Sequence, residues 1–180
     1  MEENLSKIKA IIGLGNPDPQ YLDTYHNAGY EIINSLANQK ELEESYKDFC
    51  YSKDNQIILA KTLTFMNQSG SAVKNIVKFF DLTPEEIMIV HDDSDLEIGS
   101  QKISFGRNSA GHKGVQSIID HLKTKDFWRF RIGIRKKTPQ RAKAEEFVLK
   151  KISKINRQKI YSATELLKEK LKLKSTSFPT

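Results

Sequence analysis

Apolar residues are arranged in this 180-residue chain as short runs, alternating stretches and helically spaced stripes. The short runs predict buried strands over 8–14, 57–62 and 87–90, and alternation predicts two more over 102–105 and 128–134. Helical spacing predicts helices over 24–38, 70–80, 115–122, 145–149 and 152–173. Because strands alternate with helices, the pattern predicts an α/β sheet with helices on both faces. A chain of this length is expected to form one domain, residues 1–180.

Polar residues follow several of the predicted strands at the point where each strand ends. Gly15-Asn16 follows the first strand, residues 64–67 follow the second and His91-Asp92 follows the third. A loop rich in glycine and polar residues, 106–114, precedes a predicted helix. In open α/β sheets the functional site lies beyond the carboxyl ends of the strands, so we expect these segments to meet there.

Two common ligand-binding motifs do not fit the residues at their key positions, which makes a nucleotide-binding enzyme an unfavoured alternative. The Gly13–Gly15 turn resembles the start of a dinucleotide-binding loop, but the third glycine position of that motif is Asp18. A calcium loop starting at Asp93 requires Gly and Glu at positions that hold Ile98 and Ser104. No Cys/His spacing typical of a zinc site occurs, and no metal is predicted.

The remaining polar residues at the strand ends are a histidine, a carboxylate and several amides. A neutral histidine that pairs with a carboxylate through one ring nitrogen can activate water with the other. Asn side chains both donate and accept, so they can bind a peptide or ester carbonyl without adding charge. Ser69 and Ser109 lack the G-x-S-x-G context of a nucleophilic serine. An enzyme with this site is therefore expected to use water directly.

The charge distribution points to a polyanionic partner. The formal net charge is +6, yet residues 135–174 hold 14 Lys/Arg against 4 Asp/Glu, which leaves the rest of the chain acidic. This balance fits nucleic acid, and it also fits a lysine-rich helix face that only contacts solvent. No apolar run approaches the roughly 20 residues of a membrane span, the N-terminus does not resemble a signal peptide, and Cys50 is the single cysteine. A cytoplasmic protein is expected.

Four separated motifs resemble one family. The segments GLGNP, TFMNQSG, IVHDDSDLEIG and GHKG, the last followed by RFRIGI, occur in order between Ile8 and Leu149. With their spacing, they closely resemble bacterial peptidyl-tRNA hydrolase. The resemblance implies a single, monomeric α/β/α domain around a mixed, twisted sheet. It also implies hydrolysis of the ester between a peptide and the 3′ end of tRNA, without metal or cofactor.

The resemblance assigns roles to individual residues. It implies that His26 activates water, that Asp92 orients and supports it, and that Asn16 reads the peptide. Further positions that bind substrate or tRNA fall on Tyr21, Phe65, Asn67, Lys113 and Arg131, the last toward the tRNA 5′ phosphate. His112 is interpreted as a hydrogen-bonded loop residue and not as a base.

The chain departs from the family pattern at several positions. Lys113 stands where the family usually has Asn, and Tyr25 stands where it usually has Arg before the catalytic histidine. The usual basic partner of Arg131 is replaced by Ser104, with Lys102 on the same strand face as a substitute. These changes leave open a second hypothesis, a non-catalytic RNA-binding member of the same fold. Retention of the catalytic histidine and its carboxylate favours the enzyme.

Overall fold

The computed structural model describes residues 5–39, 42, 44–53, 57–136 and 147–173. Within them, seven strands form one sheet in the order β2-β3-β4-β1-β5-β7-β6. The strands are β1 Ala10–Gly13, β2 Glu44–Tyr46, β3 Phe49–Lys53, β4 Ile58–Thr62, β5 Ile87–Glu97, β6 Gln101–Phe105 and β7 Trp128–Arg135. The four central strands, β4, β1, β5 and β7, are parallel, whereas β2, β3 and β6 run antiparallel to their neighbours. The predicted α/β fold with a mixed sheet is confirmed.

Helices cover both faces of the sheet. They are α1 Ala28–Leu36, α2 Ser69–Phe79, α3 Lys113–Leu122 and α4 Lys154–Leu171. α1 and α4 share one hydrophobic cluster with alternate residues of the central strands, such as Ile11 and Val90. α2 and α3 share the other cluster with the intervening residues, such as Ile12 and Ile89. Strands whose two faces are both buried show continuous apolar runs, which explains why the sequence predicted them.

The strand β5 is longer than its apolar run predicted. Expected to end at Val90, it continues through the acidic segment to Glu97 and pairs with β7 up to Asp93, and again at Glu97 after a register shift. The apolar pattern stops because the strand leaves the core. The β2–β3 hairpin was not predicted, since all three residues of β2 are exposed and impose no alternating pattern.

The other differences are small. The predicted first helix begins as a 3-10 turn, Tyr25–Asn27, which leads directly into α1. Of the helix predicted over 145–149, residues 145 and 146 lie outside the described residues, and 147–149 form a turn. The basic C-terminal helix predicted over 152–173 is α4.

The Gly13–Gly15 turn serves close packing of β1 against α1. A Cβ on Gly13 would lie 2.6 Å from the backbone oxygen of Gly29, and one on Gly29 would lie 2.4 Å from the oxygen of Val90. Both contacts are shorter than a real Cβ contact, so the two backbones approach this closely only because both residues are glycine. No helix in the described part of the chain is long and apolar enough to cross a membrane.

Candidate active site

Two of the polar strand ends are joined directly by Asn16, which follows β1. Its backbone N–H donates to Oδ1 of Asn27 at 2.8 Å, and Nδ2 of Asn27 donates back to the Asn16 carbonyl at 3.0 Å. The side-chain oxygen of Asn16 accepts from the N–H of Met66, beyond β4, at 2.7 Å. Asn16 is 7% exposed and its Oδ1 already has a partner. Its Nδ2 is therefore the group that remains to donate to a substrate.

His26 lies at the centre of the 3-10 turn and faces the end of β5. Its Nδ1 is 2.8 Å from Oδ1 of Asp92. With a carboxylate as the partner, Nδ1 carries the proton and donates it, which leaves Nε2 unprotonated in the neutral ring. This is the arrangement required of a histidine that removes a proton from water.

Asp92 accepts from two histidines. It is 2% exposed, and the same oxygen that pairs with His26 lies 3.0 Å from Nε2 of His112. Burial by itself raises the pKa of a carboxyl, but His26 and His112 together outweigh burial and hold the pKa of Asp92 well below its usual range. Asp92 is therefore a permanent negative charge at the pH of the cell.

His112 is the member of this group that sequence reasoning interpreted only as a loop residue. It is the N-cap of α3, and its Nδ1 accepts from the N–H of Val115 at 3.2 Å. Because Nδ1 accepts, Nε2 carries the proton and donates it to Asp92. The sequence does indicate the cap, because the histidine stands just before a helical pattern. It does not indicate the contact with Asp92, which lies 20 positions away on β5.

The pKa of His26 is set by opposing effects. Burial lowers the pKa of its imidazole, but the charge of Asp92 and the hydrogen bond to it raise the pKa more, so the net shift is upward. The charge of Lys113 acts in the opposite direction and lowers this pKa. Asp92 thus strengthens the base, and Lys113 weakens it.

A cleft of about 1110 Å³ opens beside these histidines, and one of its walls is basic. Arg129 and Arg131 lie on β7, with Lys102 opposite Arg131 on β6 and Arg107 in the following loop. Nε of Arg131 donates to Oδ2 of Asp93 at 2.6 Å. Burial, followed by the charge of Arg131, lowers the pKa of Arg129 to about 10. Arg129 still carries a full charge at neutral pH.

Several buried polar atoms on this wall have no hydrogen-bond partner among the described residues. They are Nε of Arg129, Oγ of Ser104 and Nε2 of His91. Ser104 lies directly opposite Arg129 in the sheet register, and His91 lies on the adjacent strand. Nδ1 of His91 donates to the carbonyl of Asp92 at 2.6 Å, so its Nε2 is an acceptor. The unpaired donors are Nε of Arg129 and Oγ of Ser104, and together with the nearby arginines they suit an anionic ligand.

The remaining predicted residues lie around the same edge of the sheet. Lys113 is exposed and lines both the large cleft and a smaller cavity of about 410 Å³, which Asn67 also lines. Tyr21 and Phe65 pack edge to face, with ring centroids 6.4 Å apart. Both are within the described part of the chain, and neither lines the two cavities. The structure thus unites His26, Asp92, Lys113 and Arg131 in one cleft and places the aromatic pair outside it.

One group within the described residues has the geometry to hold a metal ion. The ligand atoms of His26, Asp92 and His112 all lie within 4.8 Å of one another. In the structure these atoms are hydrogen-bonded to one another, so a metal would have to replace both ring protons.

The sequence and the fold both match those of known proteins. The profile of the family described as peptidyl-tRNA hydrolase matches residues 10–177. Peptidyl-tRNA hydrolase from Persephonella marina is 42% identical over 166 residues, which cover 87% of each chain. That from Mycoplasma mycoides is 38% identical over 152 residues, or 81% of each chain. The crystal structure of the Acinetobacter baumannii enzyme superposes with a TM-score of 0.81 at 31% identity, covering 93% of this chain and 88% of the other. By sequence and by fold, the chain belongs to the peptidyl-tRNA hydrolase family.

Proposed function

We propose that this chain hydrolyses the ester that joins a peptide to the 3′ end of tRNA, with His26 as the base that activates water. The observation that carries the proposal is the bond between Nδ1 of His26 and buried Asp92, at the edge of an open, basic cleft. The reaction releases free tRNA and peptide.

The chemistry follows from the tautomer that Asp92 imposes. Nε2 of His26 removes a proton from water as the oxygen attacks the ester carbonyl, and the imidazolium that forms is stabilised by Asp92. The tetrahedral intermediate then expels the ribose 3′ oxygen, which takes the proton from Nε2. The base is thereby restored, and no covalent enzyme intermediate is needed.

Polar groups around His26 recognise the peptide in this proposal. Nδ2 of Asn16 donates to a peptide carbonyl, a contact that an unblocked aminoacyl ester lacks. Asn67 and Lys113 can donate to the oxyanion as it develops, and donors placed for that charge accelerate acyl transfer. Tyr21 and Phe65, which pack edge to face, provide an aromatic surface for the substrate.

The basic wall and α4 bind the tRNA in this proposal. Arg131 is held by Asp93 through Nε, and among the described residues its terminal nitrogens are left for a phosphate. The wall around Arg129 and Ser104 offers further donors. Lysines of α4 extend the positive surface, and double-stranded RNA is recognised mainly by shape and backbone.

We also propose that the protein acts as a cytoplasmic monomer without metal or cofactor. The atoms that could hold a metal in the site are engaged in the hydrogen bonds that define the base. Turnover should therefore persist after exhaustive treatment with EDTA.

The test is turnover of an N-blocked aminoacyl-tRNA by the native chain and by His26→Ala. The native chain should release free tRNA, whereas His26→Ala should lose roughly 10²–10⁴-fold in rate and keep its affinity for tRNA. Near-normal turnover by His26→Ala would overturn the mechanism. Binding of tRNA by the native chain without any turnover would instead favour a non-catalytic RNA-binding protein.

A further inference from the structure

The segment that carries His26 is paired along its length with residues from the C-terminal part of the chain. Residues 23–26 run antiparallel to residues 148–152, with a β-bridge between Thr24 and Lys151. The backbone hydrogen bonds run from Ile152 N–H to Asp23 O at 2.7 Å, from Tyr25 N–H to Lys150 O at 3.2 Å and from His26 N–H to Val148 O at 2.8 Å. The position of the catalytic turn is therefore tied to the segment that leads into α4.

This pairing replaces the cap that the 3-10 turn otherwise lacks. Thr24 occupies the N-cap position, but its side chain makes no capping bond and its hydroxyl donates to the carbonyl of Tyr21 instead. The first N–H groups of a helical turn need acceptors from outside the turn. At Tyr25 and His26 the carbonyls of Lys150 and Val148 provide them.

Two side chains from the first turn of α4 extend the same contact. Nδ2 of Asn156 donates to the hydroxyl of Tyr25 at 2.7 Å, and the guanidinium of Arg157 pairs with Asp23 at 2.6 Å. Tyr25 is 3% exposed, so its hydroxyl is a buried polar group that needs this partner. Tyr161 also holds α4 to α1 by donating to Glu31 at 2.8 Å.

We propose that Asn156 is a positioning residue for His26 and acts through the hydroxyl of Tyr25. The proposal rests on the function proposed above. Tyr25 precedes the base directly in the chain, so a shift of its ring moves the turn that holds the imidazole against Asp92. A base displaced by a fraction of an ångström loses catalytic efficiency, although the substrate still binds.

The test removes one partner at a time from the hydrogen bond between Asn156 and the hydroxyl of Tyr25. Tyr25→Phe keeps the ring and loses the hydroxyl, and Asn156→Ala loses the amide. Each should lower kcat by about threefold to tenfold, in line with one buried hydrogen bond, and leave KM unchanged. The double variant should be no slower than the slower single variant, because both changes break one bond.

Two further variants serve as controls. Asn156→Asp should retain native kcat, since the tyrosine hydroxyl can donate to the new carboxylate, and an acidic residue suits the first turn of a helix. Gln158→Ala removes an exposed amide two residues further along α4 and should have no effect. If Asn156→Ala fails to fold, Tyr25→Phe alone still decides the outcome.

A measurement without substrate separates this proposal from the function itself. The titration of His26, followed by NMR, should move to lower pH in Tyr25→Phe and Asn156→Ala, since a looser contact with Asp92 leaves burial dominant. Gln158→Ala should titrate like the native chain. Native kcat in Tyr25→Phe together with an unmoved titration would overturn the proposal. An inactive native chain would overturn the proposed function alone, because the titration does not require turnover.

Discussion

The imidazoles of His26 and His112 share one acceptor, Oδ1 of Asp92, at 2.8 and 3.0 Å. Two donors on one buried oxygen fix its position and keep the carboxylate ionised, so His112 supports the base through Asp92. The same ring caps α3 through its other nitrogen.

Replacement of His112 by Asn separates its two roles. Asn is a favourable N-cap residue, so His112→Asn should keep α3 and the melting temperature near native. The shorter side chain cannot reach Asp92, and loss of a hydrogen bond to a charged group should lower kcat by about tenfold. Steady-state kinetics and a thermal melt check this expectation. A variant with native kcat would show that His112 has only the capping role.

The pH profile of Asp92→Asn should show how far Asp92 sets the pKa of His26. In the native chain Asp92 raises the pKa of His26 against the effect of burial. With a neutral amide only burial and Lys113 remain, so the pKa of His26 falls and the ring stays neutral to lower pH. The acidic limb of kcat/KM should therefore move to lower pH than in the native chain. The rate on the plateau should drop, but less than in His26→Ala, because the imidazole is still present.

An acidic limb that stays in place or moves to higher pH in Asp92→Asn would contradict this interpretation. Asp95→Asn is the matched control, because Asp95 lines the same cleft, whereas the charges that shift the pKa of His26 are those of Asp92 and Lys113.

An isosteric substitution can separate the two roles of Asn16, which are to accept from Met66 and to donate to the substrate. Asn16→Asp keeps an oxygen that accepts from Met66 and removes the Nδ2 donor, whereas Asn16→Ala removes both. If the donor reads the peptide, Asn16→Asp should fold and lose discrimination between N-blocked and free aminoacyl-tRNA. Competition between the two substrates measures this directly. Unchanged discrimination in Asn16→Asp would leave Asn16 with only its structural role.

The central sheet was predictable because its strands are buried on both faces. An apolar run such as Ile87–Val90 is expected to form a strand that is buried on both faces. In an open α/β sheet the functional site lies beyond the carboxyl ends of such strands. His26 and Asp92 could be paired in advance only because whole motifs resembled a family. Their separation of 66 positions carries no local signal of contact.

Other features depend on tertiary contacts and leave no periodic trace. The hairpin strand β2 is exposed, so no hydrophobic pattern marks it. The acidic segment after Val90 was predicted to lie beyond the strand, but it is part of β5. Asp93 pairs with Gly133 in the sheet, and its side chain binds Arg131. The bond between Tyr25 and Asn156 joins residues 131 positions apart, and nothing in either segment indicates it.

The basic wall should contribute to tRNA affinity in a salt-dependent manner. Arg131→Gln combined with Asp93→Asn removes the cation without leaving a buried carboxylate unpaired. Loss of one phosphate contact should weaken tRNA binding and reduce the slope of log affinity against log salt by about one unit. Lys9→Gln is the control, since Lys9 precedes β1 and is not one of the residues that line the cleft. Native affinity and slope in the double variant would remove this wall from the tRNA interface.

Lys113, like Tyr25, departs from the residue that the family resemblance implies, and its charge acts on the base. Its ammonium is exposed at the N-terminus of α3, lines the cleft and lowers the pKa of His26. A cation is unfavourable at this end of a helix, so Lys113 is not expected to contribute to stability. Lys113→Asn, which removes this cation, should keep or slightly raise the melting temperature.

The same change should move the pH profile in a defined direction. Without the nearby cation the pKa of His26 rises, so a larger fraction of the base is protonated in mild acid and the acidic limb of kcat/KM moves to higher pH. Lys123→Asn makes the identical charge change at the other end of α3, where the backbone is left-handed and tolerates Asn, and it should leave the profile unchanged.

The alternative is that Lys113 contacts a tRNA phosphate. In that case Lys113→Asn will weaken tRNA binding and reduce the slope of log affinity against log salt by about one unit, while the pH profile stays in place. A limb that moves to higher pH with unchanged salt dependence would assign Lys113 to the catalytic centre. No effect on either measurement would show that this ammonium contacts neither the base nor the tRNA.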